Sequence, residues 1–274
     1  MNFFVSIPHS GEKVPEEAFW LRGLSEPHLM RDVDRYVHSL YLPALKKLQI
    51  PHVISPWHRY AADLNRFPED VDQDSVEGSP NPPGTFTTGL HWVKTTLGEP
   101  LMKKPISQKL HQQLVKKYYE PFHQEVQKTF KDLSQEKGAV FHLDAHSMPS
   151  MGTAAHRDPG EKRAEVVISD VNGKSCKPEW KDLVMEAFKE SGFQVAYNWP
   201  YIGGRITQRY GKPQDGQNSI QVELNRALYM NEETKKPLDS SFSEVQDKIF
   251  KALEKIVREL PALLAFVLLF YANF

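Results

Sequence analysis

The sequence predicts an α/β sandwich with a mixed, largely parallel central sheet. Short apolar runs alternate along the chain with stretches of helical periodicity. Several of those runs end abruptly in histidines, aspartates or arginines, at the position where open α/β sheets bind ligands.

The elements follow in order. Phe3-Phe4-Val5-Ser6-Ile7 is strand-like. Leu29, Val33, Val37, Leu40 and Leu45 recur at helical spacing across 26–49, where Pro43 should kink or end the helix. Apolar residues from Ile106 to Leu133 predict a long helix or a pair, bent near Pro121, with Gly138 as its stop. A strand opens at Ala139-Val140-Phe141. Next come a strand at 165–168, a helix from Trp180 to Phe188 stopped by Gly192, and strands at 193–196 and 220–223. Ser243 to Leu260 closes the pattern as an amphipathic helix. The organisation is one domain over 1–260, with a long insertion at 66–105 and an apolar tail at 261–274. The insertion holds six prolines, four glycines and the acids Glu69, Asp70, Asp72, Asp74 and Glu77. So long a stretch without periodicity is often a functional loop, and equally often a solvated excursion.

Composition narrows the classes. An apolar content of 40% suits a folded protein with a sizeable core. Lys and Arg (34) balance Asp and Glu (35), so no basic field argues for nucleic acid. The one cysteine, Cys176, excludes an internal disulfide framework and fits a cytoplasmic, reducing setting. MNFFVSIPHSG lacks a basic leader and reads as a first strand rather than a signal peptide. The tail after Leu260 is shorter than the roughly 20 residues a bilayer span needs, and is expected to pack on the domain or on a partner.

Four strand ends carry reactive groups: Pro8-His9-Ser10-Gly11, Asp144-Ala145-His146-Ser147, Asp170-Val171-Asn172-Gly173, and Glu223 with Asn225-Arg226. Their convergence on one rim would make a site. Two imidazoles and one carboxylate, with a position left open, form the ligand set of a catalytic zinc. His9 and His146 are the natural pair, and Glu223 is placed to take a proton from water. The third ligand stays open between Glu12, in a His-x-x-Glu spacing, and Asp32 or Asp34. The last two cannot share a helical face, so at most one of them reaches a metal. His142 faces the same side as Asp144 and reads as a packing or supporting group. Arginine forks clamp carboxylates. Arg66 and Arg226 end the similar runs Asp63-Leu64-Asn65-Arg66 and Glu223-Leu224-Asn225-Arg226. Arg205 and Arg209 follow the Gly203-Gly204 pair, where backbone can approach a ligand closely.

Taken together, VSIPHSG (5–11), RDVDRYV (31–37), DLNR (63–66), LDAHSMPS (143–150), SDVNGKSC (169–176), NWPYIGGRITQRYG (198–211) and QVELNRALYM (221–230) resemble the N-formylglutamate amidohydrolase family. The resemblance runs over about residues 5–230. It implies a three-layer α/β/α hydrolase related to zinc carboxypeptidases. The type reaction it implies is hydrolysis of N-formyl-L-glutamate to formate and glutamate, within histidine degradation. By the same resemblance, His9, Asp34 and His146 hold one zinc ion and Glu223 is the proton-transfer group. Asp34 ranks above Glu12 because the family pattern needs no acid at Glu12.

Arg66, Arg209 and Arg226 are the candidates for the substrate's carboxylates, and Asp144 is expected to orient His146. Arg205 stands where a non-basic residue is expected and bears on the acid pocket. The partner is a small N-acyl amino acid; the sequence leaves the oligomeric state open. A zinc enzyme acting on another N-acyl amino acid or small peptide is the second reading. A non-catalytic carboxylate-binding protein is the third; Glu223 speaks against it, since a binder has no use for a base.

Overall fold

The computed structural model describes residues 1–271. Its elements, in order, are β1 (Phe3–Ile7), α1 (Glu26–Leu29), α2 (Val37–Lys47), β2 (His52–Ile54), α3 (Gln108–Leu114), α4 (Glu120–Lys137), β3 (Val140–Met148), β4 (Val166–Ser169), α5 (Pro178–Glu190), β5 (Val195–Tyr197), α6 (Arg205–Tyr210), β6 (Gln217–Asn225) and α7 (Asp239–Tyr271). The six strands form one sheet in the order β2-β1-β3-β6-β4-β5. Every neighbouring pair is parallel except β4 with β6. The sheet is therefore mixed and mostly parallel, as the sequence predicts.

Side chains alternate along these strands, and the alternation sorts them into two layers. Phe3, Val5 and Ile7, with Phe141, Leu143, Ala145, Ile220, Val222 and Leu224, face one core. There they meet Leu40 and Tyr41 of α2, Trp180 and Phe188 of α5, and Ile249 and Leu253 of α7. Each such large apolar side chain contributes about 1.5–3 kcal/mol on burial. Phe4 and Val140 face the other way, onto Tyr118, Phe122, Val126 and Phe130 beside and along α4. Farther along that second face the strands turn polar: Ser6, His142, Asp144, His146, Ser219, Gln221 and Glu223 are all buried.

Three departures from the sequence reading have physical causes. The expected helix at 26–49 is two helices, α1 and α2, and the break between them carries Asp32 and Asp34. Tyr36 there takes φ 68°, a turn that a continuous helix does not allow. Pro43 lies inside α2 without ending it. The carbonyl it leaves unbonded, that of Ser39, accepts instead from Gln246 of α7 at 2.9 Å. Near Pro121 a π-helical turn, Val115–Tyr119, joins α3 to α4, so Pro121 falls in the first turn of α4, where its missing N–H costs little.

Gly138 stops α4 at φ 83°. The last helix starts earlier than Ser243 and runs through Pro261. Leu260 is buried and Leu263 partly so. Packing of the tail beyond Leu263 concerns side chains outside the described residues, as do residues 272–274 altogether. No helix among the described residues is long and apolar enough to cross a membrane.

Segment 66–105 contains no helix or strand, but it is not a solvated excursion. Leu90, Trp92, Val93, Leu101 and Met102 are buried. Its acids cap turns: Asp72 accepts from the backbone N–H groups of Asp74, Ser75 and Phe86.

Candidate active site

Parallel β1, β3 and β6 end at one rim. The β3–β6 register sets His146 directly opposite Glu223. His9 follows β1, and its carbonyl accepts from the Asp34 backbone N–H at 3.0 Å, which fixes the α1–α2 turn against the strand end. β4 is antiparallel to β6, with Ser169 opposite Gln221 and Val166 opposite Leu224. Asp170 therefore leaves the sheet toward the other end. There it accepts from Tyr197 and Asn198 and caps the turn at Gly173. The fourth strand end expected at the rim does not reach it.

His9, Asp34 and His146 come together: one ligand atom from each lies within 4.8 Å of the other two. The two rings sit edge to face, with centroids 4.9 Å apart. Each imidazole is held by its far nitrogen. His9 Nε2 lies 2.8 Å from Asp63 Oδ1, and His146 Nε2 lies 2.8 Å from Asp144 Oδ2. Both Nδ1 atoms then face Asp34 Oδ2, at 3.6 Å from His9 and 3.1 Å from His146.

A carboxylate behind a histidine fixes the tautomer and raises the basicity of the other nitrogen, as metal-ligating histidines require. His9 Nδ1 is buried and has no hydrogen-bond partner among the described residues. An orphaned acceptor of this kind is costly unless something binds it. The donor set and its orphan fit a small divalent cation. Asp144 also accepts from Ser6 Oγ, which His142 Nε2 contacts at 2.8 Å. His142 is thus a supporting group stacked on Phe4.

The electrostatics are strongly biased. Burial, the largest influence on Asp34, would raise its pKa. The close imidazoles of His146 and His9 and the charges of Arg59 and Arg226 outweigh it and hold the carboxyl well below its usual range. Burial likewise disfavours charge on His146, but Asp144, Asp34 and Glu223 prevail and hold it well above its ordinary value. Glu223 goes the other way. Burial, helped by Asp34, pushes it up to about 7 despite His146 and Arg226. Its Oε1 accepts from Gln221 Nε2 at 2.8 Å. These groups line a cleft of about 390 Å³.

The competing ligands are occupied elsewhere. Glu12 pairs with Arg35 at 2.9 Å. Asp32 lines the cleft, but its carboxylate accepts from Tyr60 at 2.6 Å and from Thr96 Oγ1 at 2.5 Å.

The arginines need correction. Arg226 is buried and donates to Asp34 Oδ1 at 2.9 Å, to Ser147 and to the carbonyls of Arg31 and Asp32. It braces Asp34 and has no fork left for a substrate. Arg209 points away from the cleft, with its Nη1 on Tyr119 Oη at 3.1 Å and its side chain in a separate hollow beside Gln127. Arg205 forms an ion pair with Asp70, at 3.0 and 3.1 Å, outside the cleft. Arg66 does line the cleft; Thr88 O and Asn65 O take its Nε and Nη1, and its Nη2 meets no protein acceptor among the described residues.

Sequence reasoning missed three groups. Asp63 heads the run Asp63-Leu64-Asn65-Arg66, where nothing in the residue pattern sets it apart from its neighbours. Arg59, which pairs with Asp63 at 2.9 Å and stacks on Trp92, carried no signal. Arg157, also in the cleft lining, carried none either.

Two carboxylate-backed imidazoles around an acid, with the buried Glu223 opposite one of them at the rim of an α/β sheet, suit a hydrolytic enzyme. The family model of N-formylglutamate amidohydrolase matches residues 1–230, and the chain belongs to that family: it is an amidohydrolase. The chain is 26% identical over 252 residues to an N-formylglutamate deformylase of Pseudomonas aeruginosa, covering 91% of this chain and 90% of that protein. The crystal structure of an N-formylglutamate amidohydrolase from Ralstonia eutropha superposes with a TM-score of 0.81 at 29% identity, covering 93% of this chain and 92% of that one. A gene product of Agrobacterium tumefaciens shares the fold, with a TM-score of 0.65 at 19% identity over 93% of this chain and 91% of that one.

Proposed function

We propose that this enzyme hydrolyses the formyl amide of N-formyl-L-glutamate, releasing formate and glutamate, with one zinc ion held by His9, Asp34 and His146. The observation that carries the reading is the orphaned His9 Nδ1 within ligand distance of Asp34 and His146, with His146 set opposite Glu223 in the sheet. The names of the relatives support the substrate. The buried, unpaired Cys176 suits a cytoplasmic setting.

When bound, zinc supplies Lewis-acid polarisation of the carbonyl and a lowered pKa for water. The chain supplies the rest. Asp63 and Asp144 hold the two imidazoles with their Nδ1 atoms toward Asp34, the arrangement in which all three would hold the metal. The Glu223 carboxylate takes a proton from the attacking water and delivers it to the departing amine nitrogen. A pKa of about 7 suits a group that must first accept and then donate near neutrality. Arg66 binds one substrate carboxylate through its open Nη2 edge.

The test is Glu223→Gln, which keeps size and the contact with Gln221. Turnover of N-formylglutamate should fall by about 10²–10⁴, while zinc content by elemental analysis stays at the wild-type level. Undiminished turnover would remove Glu223 from the role.

A further inference from the structure

Glutamate brings two carboxylates, and Arg66 accounts for one. Four arginines line the cleft. Arg59 is occupied by Asp63 and by the Asp32 carbonyl, and Arg226 by Asp34 and Ser147. Arg157 is different. Its guanidinium lies over the Trp199 ring, 5.0 Å from the centroid. Its one protein hydrogen bond among the described residues is a long one, from Nη1 to Pro200 O at 3.4 Å. The Nε and Nη2 donors meet no acceptor among the described residues.

Arg157 is also well placed. It sits on the 149–163 loop, which contributes Pro149, Ala155 and His156 to the cleft wall. That loop is tied down on several sides. Arg163 grips the adjacent Asp158 in a buried bidentate pair at 2.7 and 2.8 Å, and also donates to Tyr201 Oη. Thr153 Oγ1 donates to Thr96 O at 3.1 Å, which joins the loop to the 66–105 segment. Gly152 packs so tightly on the Asp158 carbonyl that a Cβ there would sit 1.8 Å from its oxygen. An arginine on such a base, pre-oriented by an indole face, loses little freedom on engaging an anion.

We infer that Arg157 binds the substrate's second carboxylate and so selects an acidic side chain over its neutral amide. The inference rests on the hydrolase reading above and deepens it. Loss of one charge-assisted fork should cost about tenfold to a hundredfold in kcat/KM. The experiment compares N-formylglutamate with N-formylglutamine on the zinc-loaded enzyme and on Arg157→Ala and Arg157→Lys.

The wild type should favour the glutamate substrate by at least about tenfold. Arg157→Ala should bring that ratio near unity, mainly through a higher KM for N-formylglutamate, and Arg157→Lys should recover part of it. An unchanged ratio in Arg157→Ala, or a wild type indifferent to the two substrates, overturns the assignment. A wild type that cleaves neither substrate overturns the N-formylglutamate reading itself, and the assignment with it.

Discussion

Replacing Asp63 by Asn tests how much of the metal site is built behind its ligands. Asp63 is fully buried. Its Oδ1 lies 2.8 Å from His9 Nε2 and accepts from the Asn65 N–H at 2.9 Å. Its Oδ2 accepts from Arg59 Nη2 and Trp92 Nε1, each at 2.9 Å. All four partners donate when His9 carries its proton on Nε2, so a carboxylate satisfies them and an amide cannot. Whichever way the Asn amide turns, its NH2 group faces two donors, and Arg59 loses a full counter-charge. Loss of the orienting acid should weaken zinc affinity by about 10–100-fold, or about 1.4–2.7 kcal/mol. Fold stability should also drop by about 3 kcal/mol, the low end for a broken buried pair, because Asp34 still lies 3.7 Å from Arg59. Competition against a chromophoric chelator measures the first quantity, and urea denaturation the second. Zinc affinity within twofold of wild type in a folded Asp63→Asn protein would refute the idea that Asp63 sets the His9 ligand.

The third ligand can be decided by zinc content. Asp34→Asn should lose the metal, whereas Glu12→Gln should keep it, because Glu12 is engaged with Arg35 in a half-exposed pair worth about 0–1 kcal/mol; elemental analysis of both variants separates them, and a metal-free Glu12→Gln protein would reverse the ranking. Stability should also depend on pH. Burial pushes His58 and His142 down to about 4, and His91 and His123 to about 3. Below about pH 6.5 the unfolded chain takes up protons that these folded side chains refuse, so stability is full above that pH and falls as pH drops toward 4. Each group contributes about 1 kcal/mol of that loss by pH 5.5. Denaturation midpoints that stay level between pH 7 and 5 would contradict this.

Much of the architecture was legible because strand and helix periods differ and the strands are short. Directions were not legible. That β4 runs against β6 depends on pairing across the sheet, and it takes Asp170 off the rim where its motif suggested it belonged. The break between α1 and α2 was hidden because apolar spacing continues across it, through Val33 and Val37, both buried. His9, His146 and Glu223 were legible for one reason: each is a buried polar residue at the end of an apolar strand, an arrangement a core strand has no use for. Asp34 came into view through the family pattern rather than through spacing. The arginines were read poorly because an arginine that braces an acid, one that packs on a tyrosine and one that faces a cleft give the same sequence signal.

Those errors share a physical origin. The site buries Asp34, Asp63, Asp144 and Glu223 close together, and each ionised acid there needs a hydrogen-bonded partner or it protonates. Arg59, Arg226, His9 and His146 fill that need, and Glu223, the acid without a cation bonded to it, is the one pushed up to about 7. The concentrated negative charge of the centre therefore consumes the arginines nearest to it. On the readings proposed above, recognition of an anionic substrate is left to cations held on loops at the cleft wall, Arg66 from the 66–105 side and Arg157 from the 149–163 side. The same proposal puts the chemistry on the sheet and selectivity on the loops, so it predicts that a change of substrate within this fold comes through Arg66 or Arg157 with His9, Asp34, His146 and Glu223 left in place.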